Sequence, residues 1–218
     1  MKKLLFIFLL LTSLQVRAEV VKKIDITGNN RISDETIKVY GNISLNKNYT
    51  SAETNAILKK LYETDFFETV DVVLINGTLK IKLKEYNTIH KIEIQGEKRK
   101  SIKKELLERI SLKEKGSFIK SRLKDDIQLI KKLYASQGFN FVEVDTKVKK
   151  FSNNRLNLMI FLNKGEKTNI SKIYFIGDKK IKDKRLRDII VSEEDRFWKI
   201  LTKNTSLNYN NIELDKRL

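Results

Sequence analysis

The sequence predicts an α+β fold built from small tandem modules, each running β-α-α-β-β. Three observations predict it. The hexapeptide Lys91-Ile92-Glu93-Ile94-Gln95-Gly96 alternates apolar and polar residues at the period of a half-buried strand, and a glycine closes it. Its pattern returns at Lys23-Ile24-Asp25-Ile26-Thr27-Gly28 and at Lys172-Ile173-Tyr174-Phe175-Ile176-Gly177, each copy followed by an isoleucine (Ile32, Ile102, Ile181) and helix-like sequence. After the helical stretches of the first two copies the period switches to two. A pattern repeated in this way marks one supersecondary unit used several times.

The chain opens on Lys2 and Lys3, an apolar run from Leu4 to Leu11, and Val16-Arg17-Ala18. That is the layout of a secretory signal peptide, and its apolar core is too short to span a bilayer comfortably. Cleavage between Ala18 and Glu19 is expected, and the protein is expected to be exported. The first module, 19–86, begins with a strand over Val21–Thr27. Ser33 is placed to cap a short helix ending near Gly41, with Asp34 and Glu35 in its first turn. Thr50-Ser51-Ala52-Glu53 is a capping-box pattern, and Ile57, Leu58, Leu61 and Tyr62 mark one side of the second helix. Val70, Val72 and Leu74 then share one face of a strand. Asn76-Gly77 supplies a hairpin turn, and Leu79-Lys80-Ile81-Lys82-Leu83-Lys84 returns with its lysines outward.

The second module, 87–165, repeats this order. Ile102, Leu106, Leu107 and Ile110 mark one helix face; Ile119, Leu123, Ile127, Ile130 and Tyr134 mark the next, which Gly138 is placed to stop. Strands are expected over Phe141–Val148 and Leu156–Leu162. Leu133-Tyr134 matches Leu61-Tyr62 in its spacing to the residues that follow. The third module, 166–218, is expected to give a strand over 172–177, a helix around Leu186, Ile189 and Ile190, and a second helix whose Tyr209–Leu214 resembles Phe118–Leu123. It stops in mid-helix, so the sequence is expected to be the front part of something longer. The linkers Tyr86-Asn87 and Asn163-Lys164-Gly165 are short and lack proline.

Composition narrows the chemistry. A chain of 218 residues without cysteine holds neither disulfides nor thiolate metal sites, and one histidine, His90, supplies no His-based triad or cluster. No nucleophile–base set and no Gly-rich phosphate loop occurs, so neither an enzyme nor a cofactor is expected. The net charge of +17 comes with acidic residues interleaved almost everywhere, as on ordinary solvated faces. A basic surface meeting anionic lipid headgroups is the other reading of that charge.

A signal peptide followed by modules that open on I-x-I-x-G resembles the POTRA domains of outer-membrane protein assembly factors. The resemblance rests on Ile24-Asp25-Ile26-Thr27-Gly28-Asn29 with Arg31-Ile32, on Leu61-Tyr62 through Phe66-Phe67-Glu68-Thr69-Val70, and on the Leu83-Lys84-Glu85 exit. Leu133-Tyr134 with Gly138-Phe139, and Phe197-Trp198 in the third module, extend it over nearly the whole chain. It implies two helices on one face of a three-stranded mixed sheet. It also implies a periplasmic scaffold that binds unfolded outer-membrane β-barrel proteins by strand addition and docks periplasmic lipoprotein subunits. Family members are held in the outer membrane by a C-terminal β-barrel, which this sequence does not contain.

By the same analogy the strand after the helix pair is the binding edge: Val70, Val72 and Leu74 in the first module, and Phe141, Val142, Val144, Thr146 and Val148 in the second. Met159 and Phe161 form a candidate contact patch on the open face. Against these stand plainer readings: strand margins guarded by Asp71, Glu143, Asp145 and Lys147, and module-to-module packing at Met159 and Phe161. The resemblance also admits a related translocation factor or secretion pore. A reading of a different class, a basic tandem nucleic-acid binder, draws on Lys98-Arg99-Lys100 and Lys179-Lys180-Ile181-Lys182. The signal peptide, the interleaved acids and the lack of aromatics along a basic strand face oppose it, and no nucleic-acid partner is expected.

Overall fold

The computed structural model describes residues 19–177, 180–195 and 205–218. The expected signal peptide with Ala18, and the pair Phe197-Trp198, lie outside them. The chain divides into two compact units, one of residues up to Asn87 with Phe151–Asn154, the other of Thr88–Lys150 and Arg155–Leu218.

The first unit contains β1 (Glu19–Val20), β2 (Lys23–Thr27), α1 (Asp34–Gly41), β3 (Asn48–Tyr49), α2 (Ser51–Glu63), β4 (Phe67–Ile75) and β5 (Thr78–Glu85). β5 is central in the order β2-β5-β4, parallel to β2 and antiparallel to β4. The expected single strand Val21–Thr27 is divided. Glu19–Val20 pairs with Asn48–Tyr49, while Val21 is fully buried and exchanges backbone hydrogen bonds with Asn46 and Lys47. One segment thus serves two sheets and must break between them. Ser33 caps α1, and Thr50 with Glu53 forms the full capping box on α2. Leu79, Ile81 and Leu83 of β5 pack with Ile37, Ile57, Leu61 and Phe67 in one core.

The second unit repeats the plan with β6 (Thr88–Gln95), α3 (Lys100–Arg109), α4 (Lys120–Ala135), β7 (Glu143–Phe151) and β8 (Arg155–Asn163), in the order β6-β8-β7. His90 is exposed at a bulge, where the β6–β8 register shifts between Ile89 and Lys91. Ile92, Ile94, Leu106, Ile110, Ile130, Tyr134, Leu158 and Ile160 form the core. The glycine of the recurring hexapeptide has a specific duty in both units. Gly28 and Gly96 take φ of 90° and 87°, and a Cβ would sit 2.0 Å from the Leu83 carbonyl oxygen or 1.8 Å from that of Leu162. Only glycine allows the return strand so close.

Several backbone contacts of the second module recur among the described residues of 170–215. The Asn46 N–H donates to the Val21 carbonyl, Lys115 to Ile89, and Asp195 to Ile170, at 2.8, 2.7 and 2.7 Å. The Glu114 carboxylate accepts the Ile92 N–H and Glu194 accepts that of Ile173, both at 3.0 Å. Asp126 accepts the Ser111 and Leu112 amides, and Asp215 those of Val191 and Ser192. Two expectations are corrected here. Matching Asp215 to Asp126 aligns α6 (Tyr209–Asp215) with the start of α4, two residues away from the alignment of Tyr209 with Phe118. The segment 172–177 is not a strand, and only the short α5 (Asp183–Arg187) forms in the following helical stretch. In the first two modules this segment hydrogen-bonds to the return strand β5 or β8. No counterpart pairs with it among the described residues, which leaves Ile176 99% exposed and Gly177 with nothing within 4 Å of its would-be Cβ.

Val21 and Ile89 also make a second contact: their N–H groups donate to the carbonyls of Lys47 and Gly116, which directly follow Asn46 and Lys115, whereas the Ile170 N–H donates to the carbonyl of Thr205. The two positions that meet Ile170, Asp195 and Thr205, are thus not adjacent in sequence, unlike Asn46 and Lys47 or Lys115 and Gly116.

Candidate strand-docking edges

The turn between β4 and β5 fixes which backbone groups face outward. Asn76 and Gly77 take φ of 49° and 71°, the left-handed pair of a two-residue type I′ turn. Such a turn makes Ile75 and Thr78 the closing hydrogen-bonded pair, and pairs then alternate down the ladder. Val73, Asp71 and Thr69 bond to Lys80, Lys82 and Lys84 opposite them. Leu74, Val72 and Val70, opposite Leu79, Ile81 and Leu83, aim their N–H and C=O groups away from β5. Among the described residues no strand pairs with β4 on that side. The structure thus gathers Val70, Val72 and Leu74 on one free edge, side chains toward the core and backbone groups outward.

One outward position is occupied. The Tyr62 hydroxyl accepts the Val70 N–H at 3.0 Å and lies 3.5 Å from the Val70 carbonyl oxygen. The sequence placed Tyr62 on the apolar side of its helix, and its edge contact had no local signal.

β7 is likewise an outer strand of its sheet. Val144 and Thr146 are half-buried on the core side, Val148 is exposed, and Glu143, Asp145 and Lys147 are exposed on the other face. Phe141 and Val142 are not part of the strand, which starts two residues later than expected. Asn140 and Phe141 still form a turn, Phe141 is 78% exposed, and Val142 drops into the core. The chain is still rounding the end of α4 there, and the Asn140 Nδ2 donates to the Leu207 carbonyl at 2.9 Å.

The open faces of the two sheets differ in chemistry. Lys80, Lys82 and Lys84 project from β5 beside Asp25 and Asp71, and Lys84 pairs with Glu68 at 2.7 Å. This is a solvated, charge-balanced row. On β8 the corresponding face carries Met159 and Phe161, both half-buried, opposite Glu93 and Gln95. The Lys147 ammonium lies 5.4 Å from the Phe161 ring centroid, so its stem covers part of that patch.

Buried carboxylates hold the loops behind these edges. Glu85, at the inward parity of β5, accepts the N–H groups of Asn30, Arg31 and Ile32, each at 2.9 Å. Glu97 plays the comparable part in the second unit, accepting from the Arg99 amide at 3.0 Å, the Tyr134 hydroxyl at 2.8 Å and the Lys164 ammonium at 3.3 Å. Burial pushes the Glu97 carboxyl up, but the Arg99 amide, the Tyr134 hydroxyl, the Arg99 guanidinium and Lys164 together hold it down at about 2. Burial and then Glu97 itself push the Tyr134 hydroxyl far above its usual range. These groups order the scaffold. Among the described residues no set of three or more His, Cys, Asp or Glu side chains could hold a metal ion.

The POTRA family model, described as a surface antigen variable number repeat, matches residues 87–165. That stretch is a POTRA module, and the first unit has the same strand order and the same helix pair. The outer membrane protein assembly factor BamA of Neisseria meningitidis serogroup B is 28% identical over 191 residues, 86% of this chain and 24% of that protein. BamA of Neorickettsia risticii is 24% identical over 213 residues, 97% of this chain and 29% of that protein. The chain is thus similar to these two BamA proteins along most of its own length, and it spans about a quarter of theirs. Solved structures it resembles include Haemophilus influenzae BamA POTRA3-5, at 16% identity and a TM-score of 0.41, covering 92% of this chain and 84% of that one. The N-terminal domain of Omp85 from Thermosynechococcus elongatus aligns at 10% identity and a TM-score of 0.46 over the same shares of the two chains.

Proposed function

We propose that this chain is a periplasmic docking scaffold of an outer-membrane protein assembly factor, receiving unfolded β-barrel polypeptides by strand addition. On this reading residues 1–18 direct export, the modules are 19–86, 87–165 and 166–218, and each of the first two carries a receiving edge. The observation that carries it is the row of outward N–H and C=O groups at Val72 and Leu74 on a sheet edge that no other strand pairs with among the described residues. An extended chain pairs with such an edge through its own backbone, so recognition tolerates many sequences. Val144, Thr146 and Val148 of β7 offer the second edge, and Met159 and Phe161 lie on the open face beside it. Periplasmic lipoprotein subunits dock on the same modules, and the basic surface meets lipid headgroups. The names of the relatives support an assembly role; no helix among the described residues is long and apolar enough to cross a membrane.

The absence of cysteine makes every introduced cysteine a unique label. A photo-crosslinker at Val73 or Asp145, exposed residues of β4 and β7, should capture an unfolded outer-membrane β-barrel polypeptide, whereas the same label at the exposed helical residues Lys59 and Lys104 should not. Capture at the helical positions alone overturns the proposal.

A further inference from the structure

Tyr62 is 41% exposed, yet its hydroxyl is engaged with an edge strand rather than with solvent alone. The groups it meets, the Val70 N–H and C=O, are the outward pair that an added strand would have to reach. Resting on the strand-addition reading above, we infer that Tyr62 is an edge guard: its hydroxyl occupies the pairing position at Val70 and confines the receptive part of β4 to Val72 and Leu74.

A phenol suits this task because one atom is donor and acceptor at once. A residue on an added antiparallel strand would offer Val70 one C=O and one N–H, and the Tyr62 oxygen stands in for both. With Val70 closed, the outward ladder of β4 is reduced to two positions. Strands in sheets usually run to about five or six residues, so a ladder this short gives little pairing energy.

The second module has no such guard. The Thr64 N–H donates to the Leu61 carbonyl and the Asp65 N–H to that of Tyr62; the Gln137 N–H donates to Tyr134 and the Gly138 N–H to Ala135. Asp65 and Gly138 both take left-handed φ, 59° and 89°. These contacts align Leu61 with Tyr134 and put Ala135 at the position of Tyr62. Tyr134 is one residue earlier, buried, and committed to Glu97. A methyl group cannot cap an edge. The two modules therefore present edges of different receptivity, and β7 is the preferred receptor for an extended chain of alternating apolar and polar residues.

The test uses the full chain, labelled for amide-resolved measurement, as wild type and Tyr62→Phe, with a synthetic peptide of about nine residues alternating valine with threonine. In the wild type the Val70 amide should exchange with solvent more slowly than those of Val72 and Leu74, a comparison that needs no variant. Tyr62→Phe keeps the ring and should speed Val70 exchange about tenfold while leaving Leu61 and Ile81 unchanged. Peptide-induced shifts should be strongest along β7, stop at Val72 on β4 of the wild type, and extend to Val70 in the variant. Equal Val70 exchange in the two proteins, or peptide contact at Val70 in the wild type, overturns the guard. Peptide shifts on β7 with an identical β4 response in both proteins overturn the guard and leave strand addition standing. Shifts on neither edge overturn strand addition and the guard with it.

Discussion

Replacing Glu97 with glutamine keeps the shape of the side chain and removes its charge from a buried site. In the wild type the carboxyl titrates at about 2 instead of 4.5. A carboxyl whose folded value is depressed contributes stability above its unfolded value and loses it as the pH falls through the folded one. The contribution here amounts to about 3 kcal/mol at neutral pH, lost between pH 4.5 and about 2. Glu97→Gln should therefore destabilise the second unit at pH 7 by about 2–3 kcal/mol, since Lys164 and Arg99 lose their partner and the Tyr134 hydroxyl loses a charged acceptor. The difference should vanish toward pH 2. Amide exchange at Leu106, Ile130 and Leu158, core residues of that unit, reads this as an acceleration of about a hundredfold at pH 7. Leu61 and Ile81 of the first unit should not change. Equal protection of wild type and variant at pH 7, or two pH profiles that run parallel down to pH 2, would show that the Glu97 charge does not stabilise the second unit.

Glu85→Ala leaves three backbone N–H groups without their acceptor and should destabilise the first unit by about 3 kcal/mol or more, measured by denaturation followed at first-unit amides. Gly96→Ala should cost the second unit more than about 2 kcal/mol, because its Cβ meets the Leu162 carbonyl in a left-handed backbone. Gly177→Ala, at the same place in the third copy of the pattern, meets no atom within 4 Å, so only its φ of 143° opposes the change and it should cost about 1–2 kcal/mol, less than Gly96→Ala. Asp126→Asn should loosen the loop after α3 by about 1–2 kcal/mol, seen as faster exchange at Ser111 and Leu112.

The features visible in the sequence are those set by local rules. Alternation placed Leu79, Ile81 and Leu83 inward; the Asn76-Gly77 turn and the caps at Ser33 and Thr50 are chosen within a few residues. The same alternation put Glu85 on the inward side, although its polarity hid the role. The rest depends on partners distant in sequence. Glu85 and Glu97 are buried because loop amides and Lys164 come to them across the fold. The segment 172–177 has strand periodicity, but periodicity forms no strand without a neighbour. The near-identity of Leu61-Tyr62 and Leu133-Tyr134 also misled, because the helix ends align Leu61 with Tyr134. Of the candidate edge residues, Val70, Val72, Leu74, Val144, Thr146 and Val148 lie on outer strands, whereas Phe141 and Val142 lie in the approach to one. Strand parity predicted the former, and only the length of the turn after α4 decided the latter.

The proposed function has the modules receive extended chains along free sheet edges. Amide-resolved titration of the full chain with a β-strand peptide from an outer-membrane β-barrel protein tests it most directly. Shifts should run along Val144–Val148 and at Val72 and Leu74, with intensity falling away across β8 and β5. Shifts confined to α1 through α4, with the β4 and β7 amides unmoved at saturation, would contradict it.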